Sequence, residues 1–199
     1  MKIRTADIET SAAGPEGFPP AGPPEIAFLG RSNTGKSSLL NALVRRRALA
    51  RTSSTPGKTR LIHFFRVEVA DQPDDPEIRL VDLPGYGYAR VSRRERAGWQ
   101  RLVESYLGDR PPLRAAVLLQ DVRRDPSDDE LDLLAWLAGR GVPAVVAITK
   151  IDKFKSGARK LRVAALRRAL PLPGDRVVAT SAAKRIGLDE LWAVLKGLL

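Results

Sequence analysis

Lys36 and Ser37 close the run Gly30-Arg31-Ser32-Asn33-Thr34-Gly35-Lys36-Ser37, whose residue types and spacing suit the binding of phosphate groups. The pattern is G-x-x-x-x-G-K-S. Its glycines let the backbone curl so that successive N–H groups point inward at phosphate oxygens. Lys36 is the candidate catalytic cation, because a lysine here reaches the β- and γ-phosphates of a nucleoside triphosphate. Ser37 is a candidate metal ligand, its hydroxyl placed for Mg²⁺.

The flanks agree. Ile26-Ala27-Phe28-Leu29 is an apolar run of strand type, and Ser38-Leu39-Leu40-Asn41-Ala42-Leu43-Val44 reads as a helix. Strand, Gly-rich loop, helix is the context in which this motif binds phosphate.

Three later segments narrow the nucleotide. Asp82-Leu83-Pro84-Gly85 ends an apolar strand. There Asp82 would hold Mg²⁺ through water, and the Gly85 N–H would meet a γ-phosphate. Thr149-Lys150-Ile151-Asp152 ends another strand. A carboxylate at Asp152 can accept both N1–H and N2–H₂ of guanine, whereas adenine would leave it unpaired. The Lys150 stem would cover the base. Thr180-Ser181-Ala182 follows the last strand and would supply a backbone N–H to guanine O6. The polar segment Thr55-Pro56-Gly57-Lys58-Thr59-Arg60-Leu61 offers a second hydroxyl on the Mg²⁺ side. Thr59 is the best candidate, for both metal and catalysis, with Thr55 as the competitor. Such a loop would be ordered by the γ-phosphate.

Around these loops, strands alternate with helices. Strands are predicted at 25–29, 61–69, 77–82, 115–119, 144–148 and 177–179. Helices are predicted at 36–46, from about 97 to 107, and at 128–138, 156–170 and 187–198. This is a doubly wound α/β class: a mostly parallel sheet with one antiparallel hairpin (61–69 with 77–82), helices on both faces, and ligands at the carboxyl ends of the strands. Residues 25–199 are expected to form a single nucleotide-binding domain. Residues 1–24 contain the run Gly14-Pro15-Glu16-Gly17-Phe18-Pro19-Pro20-Ala21-Gly22-Pro23-Pro24 and are expected to be an irregular arm, laid across the domain by Phe18.

The chain has 199 residues, no cysteine, and a formal net charge of +11. Without cysteine there is no disulfide framework or zinc–thiolate site, which favours a reducing, cytoplasmic setting. No apolar run approaches the ~20 residues of a membrane span, and no signal-peptide core is expected. The positive charge favours polyanion partners. Between Lys153 and Gly174 no residue is acidic, while Lys153, Lys155, Arg159, Lys160, Arg162, Arg167 and Arg168 crowd one helix and its entry. Val163, Leu166 and Leu170 should face the core, leaving a basic stripe outward that suits RNA phosphates better than a membrane.

The motifs resemble the EngB (YihA/YsxC) family of bacterial GTPases, in the TrmE-Era-like branch. The resemblance rests on Pro24-Glu25-Ile26-Ala27-Phe28 before Gly30-Arg31-Ser32-Asn33, on Thr55-Pro56-Gly57-Lys58-Thr59, and above all on Asp82-Leu83-Pro84-Gly85-Tyr86-Gly87-Tyr88-Ala89. It implies GTP and Mg²⁺ binding, slow hydrolysis, assembly of the large ribosomal subunit with rRNA and protein contacts, and a link to cell division and septation. It favours Thr59 over Thr55. Thr34 and Arg60 depart from the family's usual Val and Gln. Ras-like GTPases orient the attacking water with a Gln after D-x-x-G; Tyr86 stands there, so slow turnover is expected. Asn33 sits where some relatives of this branch help to bind K⁺, making K⁺ a candidate second cation.

His63 falls in a strand pattern and is read as structural, and Trp99, Trp136 and Trp192 as core. Tyr86 and Tyr88 lie in a Gly-rich loop and are read as reporters of nucleotide state to a partner. Arg90, Arg93, Arg94 and Arg96 in the same loop are read as a solvated or RNA-facing cluster rather than as a catalytic arginine. A monomer is the expectation. The competing readings are a small-molecule kinase, against which Asp152 argues, and a non-hydrolysing scaffold for division proteins.

Overall fold

The computed structural model describes residues 1–46, 48–50, 61–70, 77–86 and 93–199, with only the backbone of 93–97 and 99. Seven strands are β1 (Ile3–Ala12), β2 (Glu25–Gly30), β3 (Ile62–Val69), β4 (Glu77–Asp82), β5 (Leu113–Asp121), β6 (Ala144–Thr149) and β7 (Val177–Ala179). Five helices are α1 (Lys36–Leu43), α2 (Arg93–Leu107), α3 (Asp128–Gly139), α4 (Ser156–Ala169) and α5 (Leu188–Lys196).

The strands form one sheet in the order β1-β3-β4-β2-β5-β6-β7. β2, β4, β5, β6 and β7 run parallel, and β3 runs antiparallel to both β4 and β1. β2 and β6 are buried along their whole length, as expected where both faces of a parallel sheet are covered. On one face Tyr106 of α2, Leu137 of α3 and Leu166 of α4 pack on Leu29, Leu118 and Val146. On the other, Leu40 of α1 and Leu191 and Trp192 of α5 pack on Phe28, Val117 and Val145. The α/β class and its reversed strand therefore stand as predicted.

The amino-terminal segment corrects the irregular arm expected over 1–24. Ile3–Ala12 is an edge strand on β3, from Ile3 opposite Val69 to Ala12 opposite Ile62. Two register shifts, between Ile3 and Thr5 and between Ile8 and Thr10, break the alternation that would have marked it. Beyond a 3-10 turn at Pro15–Gly17, Phe18 does lie across the domain. Its ring centroid is 5.7 Å from those of Phe64 and Tyr106.

A buried ionic knot fixes this segment to the sheet. Glu25, wholly buried, accepts hydrogen bonds from Tyr106 Oη (2.8 Å), Arg110 Nη2 (2.6 Å) and Arg79 Nη1 (3.2 Å). Arg79 also pairs with Glu9 of β1 (2.7 Å) and donates to the Pro20 carbonyl. Arg110 donates to the Pro19 carbonyl. Each buried charge is thus matched and hydrogen-bonded, the condition under which a buried ion pair is tolerated.

α1 and α2 differ from their expected limits: α1 ends at Leu43 and α2 starts at Arg93. α3 begins as read, with Ser127 in a reciprocal capping box with Glu130. The left-handed turn after it falls at Gly141.

Candidate functional site

The phosphate loop joins β2 to α1 at the carboxyl end of the sheet. Gly35 has φ +98°, which glycine adopts without steric cost. Asn33 adopts φ +66°, a conformation uncommon without glycine and concentrated at functional loops. A Cβ on Gly30 would lie 3.0 Å from Leu119 Cβ and 2.9 Å from Thr34 Oγ1, so glycine is needed there for packing. Thr34, in the family's valine position, is buried and donates to the Arg31 carbonyl at 2.7 Å.

Lys36 and Asp82 are brought together across the sheet. The Lys36 ammonium contacts Asp82 Oδ1, with side-chain exposures of 13% and 8%. Burial lowers the Lys36 pKa from its ordinary 10.5 to about 7. The D-x-x-G segment is zipped to the phosphate loop: Tyr86 N donates to the Gly30 carbonyl at 3.3 Å, and Ser32 N to the Tyr86 carbonyl at 2.8 Å. A Cβ on Gly85 would lie 3.3 Å from the Gly30 carbonyl oxygen. Leu83 is fully buried. His63 lies opposite Asp82 in the ladder and hydrogen-bonds Ser11 Oγ through Nδ1 at 2.7 Å. Burial and then the Lys36 charge lower its pKa, which keeps it neutral and fits a structural role.

Tyr86 differs from its expected role as an exposed reporter. It is buried, and its hydroxyl donates to Glu130 Oε1 at 3.2 Å. Burial, and then the Glu130 carboxylate, raise its pKa well above the ordinary 10. A phenol so held keeps its proton.

The base side is built from the ends of β6 and β7. Thr149 Oγ1 donates to the Thr34 carbonyl at 2.7 Å. Lys150, left-handed at φ +59°, stretches its ammonium to the Asn33 carbonyl and to Asp121 Oδ2. Asp152 Oδ1 accepts from Ser181 Oγ at 2.5 Å, which fixes the carboxylate plane. Ile151 is buried beneath it. The Thr180 and Ser181 N–H groups bond to the carbonyls of Ile148 and Ile186. Ala182 N is therefore the donor of this segment left for a ligand. A carboxylate acceptor beside a backbone donor matches the N1–H, N2–H₂ and O6 edge of guanine.

Two acidic residues outside the motifs belong to this site. Asp121, at the end of β5, accepts from Lys150 Nζ, Arg123 Nε and Arg123 Nη2. Burial raises its pKa, but these hydrogen bonds outweigh that and hold it below the usual carboxylate range. Glu130 joins Tyr86 to the start of α3. An apolar strand ending in a carboxylate was the available signal for Asp121; nothing local marks Glu130 beyond its capping box.

Ser37 and Asp82 supply a hydroxyl and a carboxylate at the mouth of the phosphate loop. Among the described residues no three His, Cys, Asp or Glu side chains cluster as a metal cage. Such a sparse, hard oxygen set suits Mg²⁺ bound together with nucleotide phosphates rather than a dedicated protein site. Thr55, Gly57, Lys58, Thr59, Arg60, Tyr88 and Arg90 lie outside the described residues, as do the side chains of Arg93, Arg94, Arg96 and Trp99. Leu61 is described and is half-buried just before β3.

Residues 25–150 match the family described as "50S ribosome-binding GTPase". The "Probable GTP-binding protein EngB" of Anaeromyxobacter dehalogenans strain 2CP-C is 48% identical, over 100% of this chain and 93% of its own. That of Gemmatimonas aurantiaca is 52% identical, over 88% of this chain and 83% of its own. A crystal structure of a probable GTP-binding protein engB superposes with a TM-score of 0.66 at 22% identity, covering 87% of this chain and 97% of that one, a likeness of fold.

Proposed function

Because the chain belongs to the EngB family of GTP-binding proteins, we propose that it is a slow GTPase that assembles the large ribosomal subunit, with a part in cell division and septation. The observation that carries the nucleotide assignment is Asp152 clamped by Ser181 next to the open Ala182 N–H. Guanine satisfies both groups and adenine neither.

Phosphates would be held by those N–H groups of the Gly30–Ser37 loop that are not donated within the fold, as those of Ser32 and Thr34 are, and by Lys36, whose charge is worth most in a site sheltered from water. Ser37 and Asp82 would hold Mg²⁺, joined by Thr59; bound there, the ion would neutralise charge developing on the phosphate oxygens. Gly57, Lys58, Arg60 and Leu61 would line the same side. Asn33, already left-handed with its carbonyl on Lys150, is the residue we assign to K⁺. Slow turnover follows from Tyr86, whose side chain is committed to Glu130 rather than to a water.

The ribosomal role is supported by the character of the matching family, described as a 50S ribosome-binding GTPase, and by the net charge of +11. Among the described residues, no helix is long and apolar enough to cross a membrane; action in the cytoplasm as a monomer is part of the proposal. The test is co-sedimentation with purified large subunits, loaded with GDP or a non-hydrolysable GTP analogue, at two salt concentrations. Binding restricted to the GTP state supports the reading. Equal binding in both states reduces it to charge attraction, and absence of binding favours the scaffold for division proteins.

A further inference from the structure

We propose that the outward face of α4, with Lys153 and Lys155 at its entry, docks the phosphate backbone of a folded RNA helix. The proposal rests on the ribosomal reading above and locates its contact.

Seven basic and no acidic residues lie between Lys153 and Gly174, against a net charge of +11 for the whole chain. Most of the molecule's excess charge is therefore on this helix and its entry. Two of the seven are engaged within the fold. Arg162 pairs with Asp125 at 2.7 Å and donates to the Val122 carbonyl, and Arg167 Nε donates to the Val177 carbonyl at 3.2 Å. Lys153, Lys155, Lys160 and Arg168 are exposed and have no carboxylate partner among the described residues. Lys160 and Arg168 are eight positions apart and so share one helical face. Gly157 and Ala164, also exposed, lie on that face. Small residues between cations leave room for a backbone to approach the helix closely.

The face discriminates among polyanions. The apolar side of α4 is turned inward, with Leu166 buried and Val163 packed on the core. Leu161 is the one large apolar residue outside, 76% exposed. One leucine does not make the apolar face that inserts into a bilayer, nor the desolvated core of a protein–protein interface. No aromatic ring is exposed on the helix to stack unpaired bases, and Phe154 at its entry packs on the core. What remains is phosphate recognition without base stacking, the mode by which double-helical RNA is bound.

The test compares the wild type with Lys160→Glu/Arg168→Glu and, as a milder change, Lys160→Gln/Arg168→Gln. Both positions are exposed, and GDP affinity verifies the fold. The probes are a stem-loop RNA with a stem of about 16 base pairs, poly-glutamate, vesicles of anionic phospholipid, and purified large subunits. The expected result is RNA affinity lowered roughly tenfold or more by reversal, with a log–log salt slope shallower by about 1–2, and GDP affinity unchanged. Subunit binding falls in parallel. RNA affinity and slope unchanged in both variants overturn the proposal while leaving the ribosomal reading standing. Wild-type preference for poly-glutamate or vesicles over RNA also overturns it. Failure of the wild type to bind either RNA or subunits overturns both.

Discussion

Asp121 and Lys150 form an ion pair of 3.0 Å beneath the phosphate loop, and the same ammonium reaches the Asn33 carbonyl. One side chain thereby ties the base-binding loop to the phosphate-binding loop, and Asp121, at the end of β5, sets where it stands. The pair couples the two halves of the nucleotide site through three separate strand ends.

Asp121→Asn should loosen this tie, weakening GDP binding several-fold and lowering stability by about 1 kcal/mol. The pH dependence follows from the lowered carboxyl pKa of Asp121 in the fold. The unfolded chain takes up the proton first as pH falls. The contribution is thus whole above about pH 4 and disappears as pH drops through the lower folded value. Urea unfolding at pH 7 and pH 3 checks this: the gap between wild type and variant should be narrower at pH 3 without closing, because the folded carboxyl is still ionised there. A gap that stays constant removes Asp121's charge from the account.

Thr149 has one hydroxyl proton, and it is given to the Thr34 carbonyl in a buried setting. It therefore has none for guanine N7. 7-Deaza-GDP, which lacks that acceptor, should bind within about threefold of GDP. Inosine diphosphate, which lacks the 2-amino donor to Asp152, should bind about tenfold or more weakly. Isothermal titration of the three nucleotides decides it, and a large loss with 7-deaza-GDP would show a donor at N7.

Tyr86→Phe removes the hydroxyl from Glu130 and keeps the ring. Glu130 retains the Ser127 N–H at 2.7 Å, so the cost should be about 1 kcal/mol of stability. Turnover of GTP should stay within about twofold, because a phenol held this way takes no part in moving the proton. A kcat that collapses while the fold survives would contradict the assignment.

Glu25→Gln leaves Arg110 without its carboxylate and Arg79 with only Glu9, in a fully buried setting. A loss of about 3 kcal/mol is expected, read as a lower denaturation midpoint. Because the knot ties down Pro19 and Pro20, proteolysis within residues 13–24 should also accelerate. GDP affinity measured on the folded fraction should hardly change, since Glu25 begins β2 and the phosphate loop follows its other end.

The sequence by itself carried the reading of the nucleotide-facing residues. Each motif in it is a short contiguous run whose proposed role resides in backbone curl and one or two side chains. Local order along the chain is enough to expose such a run. The buried runs of β2, β5 and β6, and the amphipathic pattern of α5, are legible for the same reason. Tertiary structure alone decided what depends on residues far apart. β1 is an edge strand with charges on its open side and two register shifts, so its pairing with β3 leaves little periodic trace. Tyr86 lies in a segment whose composition reads as exposed, yet its ring turns inward because Glu130, 44 residues on, accepts its hydroxyl. Glu25 meets Arg110 across 85 residues, and Lys150 meets Asn33 across 117. Buried charges choose their partners by proximity after the sheet has formed, and no pattern local to either partner encodes that choice.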